Sequence, residues 1–197
     1  MWISGSELIK MGFMSLGSNC LVDSRAMIYG PERISLGSDV RVDAFSTLSS
    51  QNGQIEIGDN VHIATGVLIY GNGGVSLASG SGLAAGVKVL SATDDFIWGN
   101  LTNPTMPTEF RGVTSAPVVL HEHALVGVNS VILPGSSIGF GAAIGALTLV
   151  KGVVNDYEIV SGNPMKVVGR RNSERLKSRH LEYLRFISNK NSVESQI

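Results

Sequence analysis

Aliphatic residues recur along this chain at every sixth position, a spacing that belongs neither to the 3.6-residue helix nor to the two-residue alternation of an ordinary strand. The ladder runs Leu16, Val22, Ile28; Leu36, Val42, Leu48; Ile57, Ile63, Ile69; and Leu77, Leu83, Val89. After an interruption it resumes without a slip at Leu120, Val126, Ile132, Ile138, Ile144 and Val150. Four places beyond an aliphatic position fourteen small or β-branched residues keep the pattern, as in Cys20, Val40, Ser46, Ser81, Ala124, Ser130 and Thr148. After the third member of the first four groups that place falls instead on Glu32, Asn52, Gly73 and Thr93, outside the regular unit.

A six-residue unit of short strand plus turn, three to a coil, predicts a triangular prism whose interior takes both the aliphatic and the small residue. Leu36-Gly37-Ser38-Asp39-Val40 and Ile57-Gly58-Asp59-Asn60-Val61 carry Gly, Asp and Asn where the turn needs a permissive backbone. Extra residues enter at one edge only: the steps Ile28 to Leu36, Leu48 to Ile57 and Ile69 to Leu77 are eight, nine and eight residues, and Val89 to Leu120 is thirty-one. Six coils spaced ~4.8 Å apart predict a prism roughly 29 Å long. The fold class is therefore all-β, with Ser6 to Met11 as a short N-terminal helix stopped by Gly12 and a C-terminal helix opened by Ser173. Its Leu176, Tyr183, Leu184 and Ile187 make a packing stripe, and 188–197 should fray.

Composition sharpens this picture. Twenty-four glycines and twelve aromatics in 197 residues mean a core of small aliphatics and many turns. A net charge of −1 argues against nucleic-acid or membrane-surface binding, and no apolar run approaches a membrane span. One cysteine, Cys20, cannot form an internal disulfide, and the start of the chain lacks a leader-like pattern, so a cytoplasmic protein is expected. The charge is divided unevenly: residues 164–197 carry a net +5 and residues 1–163 a net −6.

The ladder, together with Ser161-Gly162-Asn163-Pro164-Met165-Lys166-Val167-Val168-Gly169-Arg170, resembles the hexapeptide-repeat acetyltransferases, and among them the sugar acetyltransferases of bacterial surface-polysaccharide (O-antigen, lipopolysaccharide) biosynthesis. The resemblance covers roughly residues 6 to 172. It implies a left-handed parallel β-helix of about six triangular coils, a homotrimer, and acetyl-CoA as co-substrate. The β-helix domain would span 1–172, with an arm at 90–119 inserted, and the helix and tail 173–197. In the family the segment around Pro164 closes the prism over the adenosine end of coenzyme A, which assigns Lys166 and Arg170 to its phosphates, as the basic tail also suggests. Gly127, Asn129, Gly145 and Ala146 are small enough to admit a pantetheine arm close to the backbone. Lys151 and Pro164 complete the expected coenzyme groove.

The thirty-residue interruption holds three of the six prolines, Pro104, Pro107 and Pro117, with Phe96 and Trp98, and reads as an ordered arm without regular pattern. In the family such an arm walls the acceptor site of a neighbouring subunit. Related galactoside acetyltransferases carry a histidine there; aligned on Ser91 and Thr93, this chain has Asp95 instead. Two adjacent carboxylates, Asp94 and Asp95, would repel and raise one pKa, and they suit an amine better than a hydroxyl. An amino sugar linked to a nucleotide is therefore the expected acceptor, against a hydroxyl acceptor or, in a different class, a non-catalytic trimeric scaffold. The Asp pair also fits a plain solvated turn. His123, on the coil that follows the arm, is the second candidate base and equally a surface turn residue. His121 and His123 as zinc ligands would need a third histidine from a neighbouring coil, and His62 lies on a more distant one, so no metal is expected. His180 is expected in solvent.

Overall fold

A computed structural model describes residues 1–194, with side chains to 188. Three parallel sheets form the walls of a prism. Sheet A stacks Ser15–Leu16, Ile34–Leu36, Ile55–Ile57, Val75–Leu77, Val118–Leu120, Ser137–Ile138 and Val153–Val154. Sheet B runs in parallel from Leu21–Val22 to Glu158–Ser161 and is closed by the antiparallel strand Lys166–Arg170, and sheet C runs from Met27–Tyr29 to Leu149–Val150. Consecutive strands along the chain lie in different sheets, and each pairs in parallel with the strand one coil away, as in Leu36↔Ile57, Val42↔Ile63 and Leu48↔Ile69. The fold is a left-handed parallel β-helix with six complete coils and the start of a seventh.

The interior is the ladder. Of its eighteen positions all but Leu16 and Ile28, in the first coil, are buried, and so is each small or β-branched residue four places on from Val40 to Val154. Buried hydroxyls return their bonds to the corners: Ser46 donates to Ala64 O (2.8 Å), Ser130 to Gly145 O (2.9 Å) and Thr148 to Gly145 O (2.7 Å). A serine or threonine at these three positions therefore fills the space of a small aliphatic residue with its hydroxyl bonded, whereas Ser81 Oγ, at the equivalent place beyond Leu77, is buried with no partner. The residues added between sheets C and A form local turns, the first of them a 3-10 turn over Pro31–Arg33.

The prism has three edges, and their occupants differ. The A–B edge is covered by helix α2 (Ser173–Glu194), whose Leu176 packs beside Gly141 and whose Tyr183 hydroxyl accepts a bond from Asn60 Nδ2 at 2.5 Å. The B–C edge carries turns of small residues, and the C–A edge releases the long insertion. Helix α1 (Gly5–Lys10) starts at Ser4 rather than Ser6, because Ser4 and Glu7 cap each other reciprocally. Among the described residues no helix is long and apolar enough to cross a membrane.

Candidate active site

The arm has a regular root. Ala92–Asp94 pairs antiparallel with Val113–Ser115, so the insertion is a β-hairpin with a long tip rather than an arm without pattern. Ser91 is fully buried and clamps this root: its hydroxyl donates to Tyr70 O (2.8 Å) and accepts from Gly73 N (2.9 Å), while its carbonyl accepts from Ala116 N (3.0 Å).

Asp95 sits at the mouth of the tip. Its carboxylate accepts bonds from the backbone N–H groups of Ile97, Trp98 and Asn100 (2.7, 2.7 and 2.9 Å) and from Asn100 Nδ2 (2.8 Å). These donors favour the charged form and hold the carboxyl well below the usual carboxylate range. The expected rise in pKa is thus reversed for Asp95, which organises a turn and is a very weak base. The turn presents Phe96, Ile97 and Trp98 at 87, 79 and 81% exposure. Asp94 points elsewhere: its Oδ1 lies 3.9 Å from Arg111 Nη2, and Arg111 Nε is buried with no partner. The two carboxylates expected to act as a pair have separate environments.

His123 occupies the A–B edge in a left-handed turn conformation (φ 59°) beneath α2. Its Nε2 is 2.8 Å from His180 Nδ1, Phe140 packs edge-on at 5.5 Å between ring centres, and the Nδ1 side abuts Gly80. Burial, followed by the charges of neighbouring groups, pushes its pKa down. His123 is thus half-buried, with Nε2 engaged by His180 beneath α2, rather than the open coil-turn base expected. His180 is correspondingly not in solvent: its side chain is 18% exposed, and Nε2 approaches Glu122 at 3.9 Å. The apolar stripe of α2 located the helix face, but nothing in the repeat disclosed which turn histidine would receive it.

Gly127, Asn129, Gly145 and Ala146 share the B–C edge at the C-terminal end of the prism. A Cβ on Gly127 would lie 2.6 Å from Ala146 N, and one on Gly145 would lie 2.7 Å from Ser161 Oγ, so coil stacking itself requires these glycines. Asn129 and Ala146 are exposed on that edge. Beyond the last coil the chain doubles back, Lys166–Arg170 pairing antiparallel with Glu158–Ser161. The intervening turn closes over the coil end, where Leu149 N donates to Gly162 O (3.3 Å) and Gly162 N to Thr148 Oγ1 (3.2 Å). Pro164 and Lys166 are exposed there, next to Gly145 through the Lys166↔Ser161 pair. Arg170 is exposed but lies along the last coil: it bonds Asp156 O (3.0 Å) and sits 3.6 Å from Glu158, so part of its charge is already answered within the chain. Lys151 is exposed on the C–A edge, away from the other groove residues. Among the described residues no three His, Cys, Asp or Glu side chains converge as a metal site.

The repeat has counterparts elsewhere. Residues 55–71 match the family "hexapeptide repeat of succinyl-transferase". Over 170 residues, 86% of this chain and 88% of the relative, the sequence is 33% identical to a dTDP-4-amino-4,6-dideoxy-D-glucose acyltransferase of Escherichia coli. This chain belongs to the hexapeptide-repeat acyltransferases. Two further similarities extend that placement within the family. A putative lipopolysaccharide biosynthesis O-acetyl transferase, WbbJ of Escherichia coli K12, is 27% identical over 79% of this chain and 78% of its own. The solved structure of AntD, an N-acyltransferase from Bacillus cereus in complex with dTDP and 3-hydroxybutyryl-CoA, superposes with a TM-score of 0.89 at 34% identity, covering 95% of this chain and 98% of that one. As an acyltransferase of this family the protein is an enzyme.

Proposed function

We propose that the protein transfers an acetyl group from acetyl-CoA to the amino group of a nucleotide-linked amino sugar, for a surface polysaccharide, as a cytoplasmic homotrimer. The observation that carries the substrate class is the full-length likeness to AntD, one of whose structures holds both dTDP-4-amino-4,6-dideoxyglucose and coenzyme A. Other AntD structures contain variants of one serine and one aspartate, with dTDP or the amino sugar and coenzyme A bound.

The trimer rests on the distribution of parts over the prism. Arm and small-residue groove leave different edges of the same chain, so a site using both is completed by a second copy. The bare Phe96-Ile97-Trp98 tip supports contact with such a copy, since large exposed apolar patches mark interaction sites. The groove beside Gly145, Ala146, Asn129, Pro164 and Lys166 would take the coenzyme, with Lys166 the cation for its phosphates.

In the reaction the amine lone pair attacks the thioester carbonyl, the C–S bond breaks, coenzyme A leaves as the thiol, and the nitrogen loses a proton. A carboxylate holds the incoming ammonium, and deprotonation exposes the nucleophile. Asp94 is the better candidate for this role, since Asp95 is committed to four donors. The orphan Nε of Arg111 beside it supports a polar acceptor site there.

Mass spectrometry of products from acetyl-CoA with dTDP-linked amino sugars tests the reading. An added 42 Da mass that survives mild alkali is the expected amide. An alkali-labile ester would move the protein to the O-acetyl class, and no transfer to any nucleotide-linked sugar would remove the acceptor assignment. Sedimentation equilibrium should give about three times the 20.8 kDa chain mass.

A further inference from the structure

A pocket between α2 and the A–B edge is lined by His123, Arg171, Asn172, Arg175, Leu176, Arg179 and His180. Arg175 and Arg179 lie four apart on one side of α2, and Arg171, in the connection just before the helix, joins them at the pocket, where like charges repel. Their own pairing leaves much of the charge unanswered. Arg171 commits only Nη1, to the carbonyls of His123 (3.1 Å) and Gly141 (2.9 Å), and Arg179 Nη1 binds Glu182 (2.7 Å). Arg175 has no ion pair among the described residues, and the one carboxylate near the imidazoles is Glu122, 3.9 Å from His180. Asn172 Oδ1 accepts the Arg175 N–H at 2.9 Å, which fixes the first turn of the helix beside the pocket.

We propose that this pocket binds a phosphate-bearing anion, held by the guanidinium groups of Arg175, Arg171 and Arg179 over a floor formed by Leu176 and the two imidazoles. Guanidinium forks match phosphate oxygens in pairs, and three of them around a single cavity suit a diphosphate or a phosphate monoester. The site lies on a different edge from the coenzyme groove and from the arm, and it does not depend on the acceptor proposed above. His123 couples the site to protons: it touches His180 at 2.8 Å, and burial, then the neighbouring His180 and Arg171, disfavour a proton on it, opposed by Glu122, while Glu182 answers part of the Arg179 charge. A bound anion offsets that disfavour, so binding tightens as pH falls from 7.5 towards 6.

Titration calorimetry with inorganic pyrophosphate as the probe tests the proposal on the full chain. The wild type should bind, more tightly at pH 6 than at pH 7.5, and Arg175→Gln should weaken binding about tenfold or more while Lys166→Ala leaves it within twofold. Adenosine 3′,5′-bisphosphate and dTDP, added in competition, separate a coenzyme-derived from a nucleotide-derived ligand. Imidazole resonances of His123 and His180 should shift on addition of pyrophosphate, which provides a reading even if the variant folds poorly. Equal affinity in wild type and Arg175→Gln, or resonances that do not move, overturns the site.

Discussion

The coils and the arm are built by opposite means. In a coil each residue is placed by its neighbours one coil above and below: Val42 pairs with Ile63, its side chain is buried in the prism, and the corner glycines let the next backbone approach. In the arm no hydrophobic ladder exists, and the tip is held by a few hydrogen-bonded turns, chief among them the Asp95 carboxylate with its four donors and the Leu101–Arg111 bridge. Repetition makes the coils insensitive to the loss of any one polar contact, whereas the arm concentrates its order in few groups. The enzyme thus has a scaffold held by area and an arm held by hydrogen bonds.

If the arm walls the acceptor site as proposed, removing it should have the largest effect on activity and a small one on the scaffold. Replacing the residues between Thr93 and Pro117 with a short linker should abolish transfer, by ~10³-fold or more, and leave the β signal in circular dichroism intact. Loss of that signal would mean that the arm is integral to coil closure. A truncation inside the prism should do the reverse. Ile63→Ala, at a fully buried position, should cost about 2–5 kcal/mol in chemical denaturation and leave the Km of folded enzyme unchanged.

Finer changes separate organisation from chemistry. Asp95→Asn keeps the shape but weakens the acceptor of four bonds, and kcat/KM should fall about tenfold to a hundredfold, with the pH profile from 5 to 9 unchanged in form. The sign follows from its depressed pKa: the carboxylate is ionised throughout that window, and its contribution to folding is present above the unfolded value of ~3.9 and lost only as pH falls below it. A profile that loses an ionisation on this substitution would restore Asp95 as a base. His123→Ala should alter kcat/KM by less than about threefold. Its folded pKa is lowered, so the unfolded chain binds the proton first, and the docking of α2 should weaken as pH drops through ~6.5 in wild type and much less in the variant. Thermal melts at pH 5.5 and 7.5 read this difference.

The prism was legible because its period is local. Leu36, Val42 and Leu48 each announce an inward position whatever the rest of the chain does, and the uneven steps at one edge located the turns between sheets C and A. Interactions spanning distant segments left no such mark. Asp95 was visible as a departure from a family motif, yet its bonds to Ile97, Trp98 and Asn100 depend on how the turn closes, which residue type alone does not fix. His123 and His180 are 57 residues apart, and their contact follows from the path of α2 rather than from any motif. The basic C-terminal segment was likewise visible as charge, but the answering of Arg170 by Glu158 and the gathering of Arg171, Arg175 and Arg179 required the hairpin and helix to be in place.

Helix α2 changes the mechanical character of the whole stack. A solenoid made only of nearest-neighbour contacts behaves as a one-dimensional chain of units, free to open from either end. Here the helix also ties together coils that do not touch one another: Leu176 lies beside Gly141 in the sixth coil and His180 meets His123 in the fifth, while Tyr183 is bonded to Asn60 in the third, beyond the intervening fourth. Peeling the last coil away therefore requires the brace to release the middle of the prism as well. The C-terminal half should open as a single cooperative block, its amides exchanging together in hydrogen-exchange experiments, while the first coil, which no brace reaches, exchanges ahead of it.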